Sequence, residues 1–144
     1  MPSKRTVERA KADLRAGKRP TTEAGEFVRE EIEHVREGKH GARSSKQAIA
    51  IGLSKARRAG VPLQAPAAGE APRSTRRRAK RDLEIGQGRR KPRASSARRR
   101  RATAKALRKE PRAAAKRSAL ARHARDAARR RRSRKKQTTG SRRA

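Results

Sequence analysis

Apolar residues recur at helical spacing in three stretches of the first 61 residues and thin out sharply after them. Val7, Ala10 and Leu14 mark one stripe of a short helix predicted over residues 6–16, with Thr6 as candidate cap and Gly17 as terminator. A second helix opens at Thr21 or Thr22 and runs through Glu37, with Ala24, Phe27, Val28, Ile32 and Val35 on one face and Gly38 as the stop. The third is the clearest. Ser44 or Ser45 can accept from the unpaired N–H groups of a helix start, and Gly60 followed by Pro62 ends it. At 100° per residue Ala48, Ile49, Gly52, Leu53, Ala56 and Ala59 share a face, while Ile51 falls toward the polar side. Ala48, Gly52 and Ala56 are small enough to let a partner helix come close.

The glycine-flanked link over residues 38–43 is short and suits a turn, which predicts a helical hairpin near residues 21–60. Glu31 lies inside the apolar face of its helix and therefore needs a basic partner; Arg43, Lys46 and Lys55 are the candidates. Residues 62–72 collect Pro62, Pro66, Gly69 and Pro72 between alanines and read as a linker. The chain then divides into a short helix or arm (1–19), a hairpin head (20–61), a Pro/Ala/Gly linker (62–72) and an Arg/Lys/Ala-rich tail (73–144). The fold class expected is all-α, a small helical hairpin head with a long disordered or conditionally helical basic tail.

Charge sharpens that division. The net formal charge is +33 over 144 residues, and residues 71–144 hold +27 of it against +6 in residues 1–70. With 41% charged and 31% hydrophobic residues, the whole chain is too polar to offset its ordering entropy. The pieces at 95–109 and 112–132 are rich in alanine and have high helix propensity, with Pro111 between them, but like-charge repulsion is expected to keep them unfolded in free form. Nine larger apolar residues are thin support for a head of this size. Docking on itself or on a protein partner is therefore expected, with Ile51 a candidate contact.

A tail of this sign requires polyanions, and nucleic acid is the first candidate. Its clusters are Arg76, Arg77 and Arg78; Arg89, Arg90 and Lys91; Arg98, Arg99, Arg100 and Arg101; Arg129, Arg130, Arg131 and Arg132; and Arg134, Lys135 and Lys136. Contacts to phosphate carry no sequence information, so binding is expected to be indifferent to sequence. On the order of 25 phosphates would balance the tail. It has no Phe, Tyr or Trp, and Phe27 is the single such residue in the chain, so base stacking of the single-strand-binder kind is not available. A helix-turn-helix alternative would use Lys46, Gln47, Ser54, Arg57 and Arg58 on the third helix, and Lys46, Gln47, Ile51, Lys55, Arg57 and Arg58 are the candidate head contacts.

Other chemistry finds little support. His34 and His40 with Glu30, Glu33 and Glu37 could be drawn as a metal site, and Glu30, His34 and Glu37 share one helical side, but surface Glu/His patterns of this kind are common, and no metal is expected. Gly52-Leu53-Ser54-Lys55-Ala56 brushes the nucleophile-elbow pattern but sits within a helix, where that turn does not occur. No catalytic constellation remains, and neither an enzyme nor a cofactor is expected. No apolar run is long enough to span a membrane.

The run Lys46-Gln47-Ala48-Ile49-Ala50-Ile51-Gly52-Leu53-Ser54-Lys55-Ala56-Arg57, after the turn Gly38-Lys39-His40-Gly41, resembles the core of an uncharacterised family of small basic bacterial proteins. That resemblance covers about residues 20–63 and carries no activity with it. The tail is similar in composition to bacterial histone-H1-like proteins. Together the two resemblances imply a bacterial cytoplasmic, nucleoid-associated protein. DNA is favoured over RNA as its partner, with an RNA-binding or ribosome-associated protein as the alternative.

Overall fold

A computed structural model of the chain describes residues 1–140, and within them the side chains of Lys136, Thr138 and Thr139 lie outside the description. The described residues form six α-helices and one turn of 3-10 helix, with no strand. Helix α1 (Lys4–Arg15) starts where the Ser3 hydroxyl accepts from Thr6 N–H, three residues ahead of the cap expected from sequence. Helix α2 (Pro20–Arg36) has proline in its first turn, where a missing N–H costs nothing, and Glu23 beside the positive end of its dipole. Helix α3 (Ser45–Arg58) is capped by Ser44, whose hydroxyl accepts from Gln47 N–H at 3.2 Å. Gly60 ends it at φ +98°, a left-handed conformation that glycine takes without strain.

The three helices pack around Phe27, which is 1% exposed, with Ala10, Ala24, Ala56 and Val61 beside it and Val7, Leu53 and Leu63 at the edge. Small residues bring α2 and α3 together: a Cβ at Gly52 would lie 2.7 Å from Val28 Cα. After α3 the chain crosses the bundle as a strap. Arg57 is buried beneath it and donates to the carbonyls of Leu63 (3.0 Å) and Gln64 (3.1 Å), which explains how a proline-rich stretch is held without regular structure.

The remainder corrects the fold expected from sequence. It is a helical bundle rather than a hairpin head, and its basic half through residue 140 is helical rather than disordered. Helix α4 (Arg73–Gly86) packs on α3 through Ala79 and Leu83, and its buried Asp82 accepts from Ser54 Oγ (2.7 Å) and Arg58 Nε (2.8 Å). Helix α5 (Ala97–Lys109) is capped by Ser96 and buries no residue. The 3-10 turn (Ala113–Ala115) then inserts Ala114 and Ala115 into a second core with Val35, Ala42, Ala48 and Ile32. Helix α6 (Arg117–Gly140) follows, and it also touches α3.

Two causes explain why repulsion does not unfold this half. Alanine has high helix propensity, and the repulsion is interrupted at the points where the chain docks on the bundle. Gly41 N–H donates to Leu107 O (2.8 Å) and Ala42 N–H to Pro111 O (3.1 Å). Ser45 Oγ donates to Ala114 O (2.6 Å), and Arg36 Nε to Ala115 O (3.1 Å).

Candidate functional site

Two charged assemblies stand out, one inside the bundle and one outside it. The inner one is centred on Glu31, whose side chain is 1% exposed. Lys55 Nζ meets its Oε2 at 2.5 Å and His40 Nε2 meets its Oε1 at 3.0 Å, while His40 Nδ1 lies 2.9 Å from Gly41 O. Lys55 is thus the partner taken from the three candidates that the sequence offered. His34 sits beside the pair, with Nδ1 3.9 Å from Glu31 and Nε2 4.0 Å from Glu30. Burial pushes the His34 imidazole below its ordinary range, and the nearby ammonium groups of Lys55 and Lys39 add to that shift. For Glu30 burial acts upward, but the hydrogen bond from Ser3 N–H (2.8 Å) and the charges of His34 and Lys55 leave it lowered overall.

Glu31, His34 and His40 offer three ligand atoms within 4.8 Å of one another, the one such group found among the described residues. It keeps His34 and His40 of the set drawn from sequence but has Glu31 in place of Glu30, Glu33 and Glu37, with His40 folding back from the loop onto Glu31. The Lys55 ammonium already neutralises Glu31, so a divalent ion here would sit against a fixed cation. The geometry suits an ion-pair joint that fastens α2, α3 and the 38–44 loop to one another. A carboxylate buried in such a joint is costly to leave alone.

The outer assembly is cationic. Helix α5 holds seven Lys and Arg and no acid in thirteen residues. At 100° per residue, Arg98, Arg101, Lys105, Arg108 and Lys109 fall within about 100° of one another. Among the described residues α5 packs against no other helix. Helix α6 adds ten Lys and Arg with one acid, Asp126, which pairs with Arg129 at 2.9 Å. Ala119, Leu120, His123, Asp126 and Ala127 are half-buried along one side of α6, and Arg129 to Arg132 are exposed.

Most of the residues expected at a nucleic-acid surface are solvent-exposed. Arg77, Arg78, Arg89, Arg90, Lys91, Arg98, Arg99, Arg100, Arg101, Arg134 and Lys135 are all outside the core. Arg90 is paired with Glu84 (3.4 Å) and Arg134 with Glu70 (3.1 Å). Arg76 is half-buried, and Lys136 lies outside the described side chains.

The head contacts fare differently. Lys46 is exposed and Gln47 half-buried, Lys55 is committed to Glu31, and Arg58 to Asp82. Arg57, expected on the exposed polar face, is buried under the strap, because its guanidinium supplies the donors that the strap carbonyls need. Gln47, Ile51, Ser54 and Arg58 line a cleft between α3 and α4 together with Ser74, Thr75 and Arg78. Ile51 therefore opens on a cleft whose other wall is the chain's own α4.

Sequence reasoning left out Lys105, Arg108 and Lys109, although their spacing from Arg101 carries the stripe of α5. It also left out Arg36, Arg112, Lys116 and Arg117, which line one notch beside Ala115 and converge only through the fold.

The model of a family of unknown function, DUF6496, matches residues 3–65, the stretch that holds α1, α2, α3 and the start of the strap. That match is consistent with the resemblance to an uncharacterised family, and it takes in α1 as well as α2 and α3. No curated protein and no solved structure matches. No helix among the described residues is long and apolar enough to cross a membrane.

Proposed function

We propose that this chain binds nucleic acid without regard to base sequence, as histone-like nucleoid-associated proteins do, through phosphate contacts made by α5 and α6. DNA is the favoured partner. One observation carries the reading: α5 is a helix of seven cations and no acid that buries no residue and, among the described residues, packs on no other helix. The bundle gains no packing from its body. A rod of about 20 Å with this charge matches the spacing of a phosphate backbone far better than it matches any apolar partner. Guanidinium groups predominate, and these take phosphate oxygens bidentately. The chain has no Tyr or Trp and its one Phe is buried, so affinity is expected to come mainly from charge and counterion release.

The test is binding to several DNA duplexes of unrelated sequence, and to an RNA duplex, over a range of salt. If each cation of α5 meets a phosphate, log K falls against log salt with a slope of about −6 or steeper. That is a loss on the order of a thousandfold between about 50 and 200 mM. Affinities should agree among the DNA sequences. Binding that ignores salt would overturn the reading, and a strong preference for the RNA duplex would move it to a ribosome- or RNA-associated role.

A further inference from the structure

The joint between α5 and α6 is fastened more firmly than either helix. Residues 110–116 are held at Ala42, Ser45 and Arg36 by backbone and side-chain hydrogen bonds, and Ala114 and Ala115 are 7% and 1% exposed in the second core. The seat is shaped for this segment: a Cβ at Gly41 would fall on the carbonyl of Glu110. Gly41 N–H also caps the last turn of α5 by binding the Leu107 carbonyl, so the helix leaves the bundle in a fixed direction. Helix α6 is anchored near its start by the 3-10 turn and by α3, and further along by the Arg134–Glu70 pair. Among the described residues the two helices do not touch each other. Where they part, Arg112, Lys116 and Arg117 line a notch with Arg36, so the floor between them is cationic too.

We propose that residues 110–116 are an elbow that presents α5 and α6 as two fixed cationic arms, engaging one nucleic-acid duplex at two places. This rests on the nucleic-acid reading above and adds the form of the partner. Fixed arms help only against a stiff partner. A flexible single strand can follow each arm separately and gains nothing from their being held, whereas a duplex is straight over far more than the span of both helices. With the elbow seated, the second arm binds at an effective concentration set by the bundle, and no ordering has to accompany binding.

The decisive variant is Ala115→Arg in the full chain. It adds a cation to a polycation, so charge alone predicts equal or tighter binding. In the 1%-exposed seat, however, an arginine cannot fit and the elbow lifts out. The expected result is a loss of about tenfold or more in affinity for a duplex of about 30 base pairs, with little change for a single strand of the same length. The chain has no cysteine, so dyes on introduced Ala106→Cys and Ala124→Cys report the arms directly. Their distance distribution should be narrow in the parent and broad in Ala115→Arg. Ser45→Ala removes one tether and no apolar contact, and it should shift duplex affinity the same way by a smaller factor. If the parent binds duplex with steep salt dependence while both variants bind it as tightly, the elbow is overturned and the nucleic-acid reading stands. If the parent binds no duplex, both fall together.

Discussion

The bundle formed by α1, α2 and α3 and the two arms α5 and α6 handle charge in opposite ways. In the bundle most acids have a nearby cation. Glu31 takes Lys55 and His40, Glu26 lies near Arg9 and Arg29, and Asp13 takes Lys18. On the arms, cations stand at four successive positions with no acid in reach of most of them. A chain built to fold alone would gain nothing from that imbalance, since net charge of one sign strains the compact state. The difference teaches that the two halves place charge differently: the first pairs most of its acids with cations within the fold, and the second leaves most of its cations at the surface. Docking at the elbow and through α4 is what lets one chain contain both.

Substitutions can break or sharpen this contrast. Phe27→Ala should have the largest effect, costing about 4 kcal/mol in urea unfolding, because it empties the centre of the first core. Lys55→Met comes next, at about 3 kcal/mol, since it leaves the Glu31 carboxylate buried with weaker partners. The double change Glu31→Leu with Lys55→Met should recover most of that loss; if it does not, the pair contributes more than mutual compensation. Gly52→Ala should cost about 2 kcal/mol, as its methyl meets the Val28 backbone. By contrast, replacing Arg99 and Arg100 by glutamine should leave the urea midpoint within about 0.5 kcal/mol of the parent. A large loss there would mean that α5 is structural after all.

The smallest effect is one of pH. Glu30 is lowered in the folded chain, so the stability it lends is present above the ordinary carboxylate range and is lost as pH falls through its folded value. Amide exchange at Ser3 and along the first turn of α1 should therefore quicken in acid before the rest of the bundle loosens.

Much of the bundle was legible in the sequence. Serine caps, glycine stops and a 3.6-residue apolar period are local signals, and they place α2 and α3 within a few residues of their bounds. The awkward position of Glu31 even pointed to Lys55. The docking of the basic half was not legible, for a physical reason. Its anchors are Ala79, Ala114 and Ala115, which look the same in an alanine-rich polycation whether buried or not, and Leu83, which looks isolated. Their partners lie far away in sequence, as Ser45 does from Ala114, and no local pattern encodes such a pairing. Asp82 shows the same blindness. Among cations it reads as a stray acid, yet it is the buried acceptor that joins α4 to α3. The candidate surface was legible in kind, because clusters of arginine announce themselves. What only the fold supplied was the separation of that surface into two held helices and the cationic notch between them.

The most direct test of that division is the salt dependence of duplex binding by the full chain in which Arg98, Arg99, Arg100 and Arg101 are all glutamine. The account predicts a log–log slope shallower than the parent's by about 3 to 4, with an unchanged urea midpoint. A slope equal to the parent's, or a midpoint that collapses with it, would contradict the claim that this half of the molecule carries its charge for a polyanion rather than for the fold.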